Sequence, residues 1–122
     1  PFPIFPFLGS SEANFPMPTP NELYDQAVDL RDAGDKEAAV ARLKEAVEID
    51  PSHSLSHGLL ARLCADLGQF DDAIHHALRV VELEPEDTFS YTALSVIYQR
   101  CGRIPEAEEA KAKAQRMQFG ID

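Results

Sequence analysis

Gly34, Gly68 and Gly102 stand 34 residues apart, and so do Ala39, Ala73 and Ala107. Pro51 and Pro85 keep the same step. The stretch AGDKEAAVARLKEAVEIDP at 33–51 returns as LGQFDDAIHHALRVVELEP at 67–85 and as CGRIPEAEEAKAKAQRMQF at 101–119. A fixed period of this length means stacked supersecondary units, none of which can bury its apolar face alone. The stack presents extended surface rather than an enclosed pocket, which points to binding before catalysis.

Local signals divide each period into two helices. In Thr19-Pro20-Asn21-Glu22 the threonine can cap, the proline suits the first helical position, and Glu22 stands where a capping box needs its acid. The first helix then runs to about Ala33 and Gly34 ends it. Asp35 caps a second helix over 36–49, and Pro51 closes the period. Helices near 54–67 and 70–84 repeat the pair. A third pair is expected near 87–101 and 105–118, with Pro105 in its first turn. The fold class is therefore all-α: three helix hairpins, 20–53, 54–87 and 88–121, within a domain spanning 20–122.

Residues 1–19 are different material. The first twenty positions hold six of the nine prolines and four of the seven phenylalanines, and Glu12 is their only charged side chain. Prolines at 1, 3 and 6 fix φ and remove donors, so an extended segment is expected there. Phe2, Ile4, Phe5, Phe7 and Leu8 favour burial against an apolar surface. The alternative is a tether to an upstream domain.

The charge balance narrows the partners. A net charge of −10 disfavours nucleic acid and anionic membrane surfaces, both of which select basic patches. No apolar run reaches 18 residues, so no membrane span is expected. No lysine or arginine precedes the apolar start, which argues against a secretory leader. Cys64 and Cys101 form no CxxC and read as reduced structural thiols, consistent with a cytoplasmic protein.

The aligned positions resemble the tetratricopeptide repeat family. A small residue recurs at Ala27, Ala61 and Ser95, a large one at Leu30, Cys64 and Tyr98, and a late small one at Ala46, Val80 and Ala114. Only Tyr91 keeps the aromatic preference at the position shared with Leu23 and His57. The resemblance covers about residues 20–118. It implies an α-α right-handed superhelix whose first helices line a concave side. It also implies a protein- or peptide-binding adaptor or assembly scaffold, with no enzymatic activity and no cofactor.

Equivalent positions also suggest where the stack ends. Val40, Ile74 and Val47, Val81 become Glu108 and Gln115, and Leu43 and Ala77 become Lys111. Leu60 and Leu63, or Leu94 and Ile97, correspond to Gln26 and Asp29. Polar outer faces of this kind suit terminal repeats, so three repeats are expected. Met117, Phe119 and Ile121 are expected to fold back on the last helix.

Carrying the family's groove positions onto this chain gives contact residues Tyr24, Val28, Leu55, Leu59, Arg62, Phe89, Val96 and Arg100. In co-chaperones of the family a clamp of basic residues and asparagines holds a terminal carboxylate. The matching positions here, Tyr24, Val28, Leu59, Phe89 and Ala93, include no Lys, Asn or Arg, so that clamp is missing. The expected ligand is an extended apolar segment, and residues 1–8 fit the description in their own molecule or a neighbour's. The alternatives are a self-association module, homo-oligomeric through residues 1–8, and a non-catalytic domain of a larger protein. His53 and His57 share a helix face, but nothing completes a metal set. His75 and His76 are expected on a solvated face.

Overall fold

The computed structural model describes residues 16–121. Among these are six helices and no strand: α1 (Pro20–Asp32), α2 (Lys36–Ile49), α3 (Ser54–Asp66), α4 (Phe70–Leu83), α5 (Thr88–Arg100) and α6 (Ile104–Gln118). The Pro/Phe-rich segment expected at 1–19 lies largely outside the described residues. Residues 16–19 are non-helical and enter α1 through an extended Thr19, φ −81° and ψ 162°.

The start of α1 is a complete capping box. The Glu22 amide donates to Thr19 Oγ1 at 3.1 Å and the Thr19 amide donates to Glu22 Oε1 at 2.8 Å. Two orphan donors of the first turn are thereby satisfied. Asp35 caps α2 by accepting from the Ala38 amide at 3.1 Å.

Each hairpin turns on one geometry. Gly34, Gly68 and Gly102 have φ of 88°, 77° and 77°. The residue after each glycine donates back across the helix end: Asp35 to Leu30 O at 2.9 Å, Gln69 to Cys64 O at 2.8 Å, Arg103 to Tyr98 O at 2.8 Å. These are Schellman closures, and their left-handed residue favours glycine. Between hairpins the chain repeats a second turn, with His53 N donating to Asp50 O at 3.1 Å and Asp87 N to Glu84 O at 3.2 Å.

The hairpins pack internally as α1 on α2, α3 on α4 and α5 on α6. They stack through α2 on α3 and α4 on α5, and the first helices touch one another along the stack. Small residues allow this closeness: Ala27, Ala39, Ala46 and Ala73 have no exposed surface. Leu23, Leu43, Leu60 and Leu63 fill the space between them. The result is an α-α superhelix of three hairpins. Gln26 and Asp29 at one end, and Glu108, Lys111 and Gln115 at the other, are exposed.

The tail departs from expectation. Phe119 and Ile121 are exposed rather than folded onto α6. Gly120, φ 69°, and the Ile121 amide bonded to Arg116 O at 3.0 Å make a further Schellman closure. That turn ends the helix without returning either side chain to it.

Candidate functional site

The concave side holds a cleft of about 600 Å³. The first helices of the second and third hairpins form its two long walls. On α3 Leu55 and the residues at i+3, i+4 and i+7 from it, Gly58, Leu59 and Arg62, share one face. On α5 Phe89, Ala93, Val96 and Arg100 do the same. Ala77 and Val80 of α4 close the floor between them, and Tyr24 of α1 borders the near side.

Leu55 and Phe89 occupy the same repeat position, one hairpin apart. They are 59% and 80% exposed, and Val96 is 48% exposed. Large apolar side chains left in water along one concavity mark an interaction surface.

Seven of the eight expected contact residues thus come together in the cleft: Tyr24, Leu55, Leu59, Arg62, Phe89, Val96 and Arg100. Val28 does not. It is half-buried and packs against the core under α1. Leu59 belongs to the cleft only as its base, because it is 1% exposed and part of the core cluster. Leu59 lies one turn after Leu55 on the same stripe, but at that level the side chain is packed into the core. The residues of α4 lie outside the expected contact set, which comes from first helices alone. Their signal was the small, late-helix position shared by Ala46, Val80 and Ala114.

The charges around the cleft are unevenly engaged. Arg100 is bonded to Asp66, which is also reached by Lys36 Nζ at 3.3 Å. The Arg100 hydrogen bond, with Lys36 behind it, holds the Asp66 carboxyl below its ordinary range against the opposing effect of burial. Arg62 makes no ion pair among the described residues. Asp87 is occupied as the cap of α5, accepting from Phe89 N and Ser90 Oγ, each at 3.0 Å. Glu84 and Asp87 stand near the N-terminal end of α5, and Arg62 and Arg100 toward the C-terminal ends of their helices.

Three imidazoles tie the second hairpin together behind the cleft. His53 bonds Asn21 Oδ1 of α1 through Nε2 and Ser56 Oγ through Nδ1, both at 2.7 Å. His57 bonds the Pro51 carbonyl through Nε2 at 2.8 Å and His76 Nδ1 through its own Nδ1 at 2.9 Å. His76 is therefore not on a solvated face as expected; it is half-buried under α3, with the His75 ring at its edge. Burial lowers the His57 value, only partly offset by the Pro51 bond, and lowers His76 to about 4. No group of three or more metal-ligating side chains occurs among the described residues. Nor is any helix there long and apolar enough to cross a membrane.

Comparison with known proteins agrees with this architecture. The sequence model of the tetratricopeptide repeat matches residues 30–94. No curated protein sequence matches the chain. Among solved structures, a crystal structure of MamA superposes with a TM-score of 0.76 at 19% identity, covering 84% of this chain and 60% of that one. YrrB, described as a TPR protein with an unusual peptide-binding site, superposes with a TM-score of 0.75 at 22% identity, covering 84% of this chain and 53% of that one. This chain thus spans less than two thirds of either structure. At these identities the likeness concerns the fold. The repeat match extends over more than half of the sequence, and the 34-residue period, glycine turns and small residues recur in the structure: the chain belongs to the tetratricopeptide repeat family.

Proposed function

We propose that this protein is a non-catalytic binding module, an adaptor or assembly scaffold, which takes an extended apolar peptide in its concave cleft. The observation that carries this reading is the pair Leu55 and Phe89, large, apolar and exposed at equivalent positions on facing walls. Burying both on a ligand contributes about 3–6 kcal/mol before ordering costs. Tyr24, Val96, Arg62 and Arg100 complete the contact surface, with Leu59 beneath it and Val28 outside it, packed on the core. The domain is taken as 20–122 in repeats 20–53, 54–87 and 88–121, with 1–19 as a separate segment. Residues 1–8, PFPIFPFL, have the composition such a cleft selects, and they are the first candidate ligand, in the same chain or a second copy. Two free thiols, Cys64 and Cys101, suit a reducing, cytoplasmic setting.

The test is a titration of a fluorescent peptide of sequence PFPIFPFLGSSEAN with residues 16–122, which lack that segment, and with their Leu55→Glu/Phe89→Glu variant. The reading expects at least a tenfold weaker affinity for the variant at unchanged helicity. Equal affinity would remove the cleft from the function. Leu59 is left alone here, since a charge at a buried position would report on folding.

A further inference from the structure

The two ends of the cleft carry opposite charge. Glu84 and Asp87 stand where α5 begins, and Arg62 and Arg100 stand toward the far ends of α3 and α5. Glu84 and Arg62 are exposed, and neither makes an ion pair among the described residues. Between them the cleft is apolar, with Leu55, Phe89 and Val96 exposed along it. We infer that the ligand is a dipolar extended segment, with a basic side chain beside Glu84 and Asp87, an acidic one beside Arg62, and about four residues between them that make the apolar contacts. This rests on the cleft being the binding surface proposed above.

Helix geometry sets the spacing. Val96 shares its repeat position with Arg62, as Phe89 does with Leu55. From the level of Asp87 to that of Arg62 is therefore nine helical positions, or about 13 Å. From Asp87 to Arg100 is thirteen positions, or about 20 Å. An extended chain covers those distances in about four to six residues. Opposite charges five positions apart thus reach both ends while the chain between them stays inside the cleft.

The side chains outweigh the helix dipoles. The starts of α3 and α5 bring about half a positive charge each to the acidic end, and their C-termini about half a negative charge each to the other. The antiparallel α4 beneath them offsets part of that. At the arginine end Asp66 is shared by Arg100 and Lys36, so with Arg62 the side chains there remain net positive. The two ends also lie farther apart than the screening length, about 10 Å at 0.1 M salt, so a ligand meets each end separately.

The same charges select against other ligands. A segment acidic at both ends meets the carboxylates of Glu84 and Asp87, and one basic at both ends meets Arg62. Arg100 is the lesser contact, because its guanidinium is already bonded to Asp66.

The experiment titrates four acetylated and amidated peptides into the full chain: Lys-Phe-Ser-Leu-Ser-Glu, the same with Gln for Lys, with Gln for Glu, and with both. Phe and Leu fall on one side of an extended chain. Affinities are compared between peptides on one protein, so anything else that competes for the cleft cancels. At low salt each charge should tighten binding about two- to fivefold over its Gln counterpart, the scale of an exposed pair, and 1 M NaCl should shrink both effects. On Arg62→Gln the glutamate effect should vanish and the lysine effect remain. On Glu84→Gln the lysine effect should shrink, with Asp87 supplying the rest, and the glutamate effect remain. Charges that add nothing at low salt, a glutamate effect that survives Arg62→Gln, or a lysine effect untouched by Glu84→Gln would overturn the inference. The Leu55→Glu/Phe89→Glu variant keeps the two readings apart. If it loses the uncharged peptide while the charges add nothing on the parent, only the dipolar preference falls. If it binds that peptide as the parent does, or no peptide binds, the cleft itself falls.

Discussion

His57 Nδ1 and His76 Nδ1 meet at 2.9 Å across the α3–α4 interface. The partner of the other His57 nitrogen decides the proton's place. The Pro51 carbonyl can only accept, so Nε2 carries the His57 hydrogen and its Nδ1 presents a lone pair. His76 Nδ1–H must then be the donor. The pair is complete when both rings are neutral. Protonating His57 would set two N–H groups against each other.

That arrangement predicts an acid-sensitive fold. The ordinary imidazole value is 6.5, and burial foremost, then the charges of His57 and His75, brings His76 to about 4. Between these values the unfolded chain binds more protons than the folded one, so stability is lost as pH falls from 6.5 toward 4. Above 6.5 the contribution is flat. Lys44 and Arg79 oppose protonation, while Asp72 favours it. The loss attributable to His76 is about 2–3 kcal/mol. Urea titrations at pH 7.5, 6, 5 and 4.5 should show it, and His76→Leu should remove most of the slope. A slope unchanged by that substitution would contradict the tautomer chain.

Two glycines predict opposite answers to the same substitution. Gly68 has φ 77° and a Cβ there would meet nothing within 4 Å, so Gly68→Ala suffers only backbone strain. The expected loss is about 1–2 kcal/mol. Gly58 lies within α3, and a Cβ there also meets nothing within 4 Å. Gly58→Ala should therefore gain about 1 kcal/mol from helix propensity. Chemical denaturation of both variants checks the signs, and Gly58→Ala additionally places a methyl on the cleft wall.

Leu55 and Leu59 are one helical turn apart but differ in surroundings. Leu59→Ala empties a buried site and should cost about 2–5 kcal/mol. Leu55→Ala removes a side chain that is 59% exposed and should shift stability by less than about 1 kcal/mol. Peptide affinity should order them the other way once both are measured under folding conditions, with Leu55→Ala the weaker binder per unit of stability lost.

Asp66 links α3 to Lys36 of α2 and Arg100 of α5, so one carboxylate spans all three hairpins. Its groups are only partly buried, and Asp66→Asn should cost about 0.5–1 kcal/mol, less in high salt. Because its value is held below the ordinary 3.8, this stabilisation is present above that pH and fades as the pH drops below it. A salt-independent loss on substitution would point to packing instead.

The period, the turn glycines and the caps were legible from the sequence because each is a local requirement. Thr19 and Glu22 need only each other, and a left-handed residue before the next helix needs only glycine. Once three such hairpins exist, small residues such as Ala27 and Ala39 dictate close antiparallel packing. Helix limits accordingly fall within a residue or two of expectation.

What the hairpins do to one another was not written locally. Whether Leu59 is wall or core, and whether Val28 faces the cleft, depends on the angle at which successive hairpins stack. His76 pairs with His57 although they are 19 positions apart, because α3 and α4 bring those two faces together. Adjacent residues on a helix give no hint of that. The sequence by itself determined the hairpins and their number of turns, since hydrogen bonds and φ angles within each short stretch suffice for that. Only the tertiary structure decided which apolar side chains remain in water, because burial is a property of the distance between helices and not of any one of them.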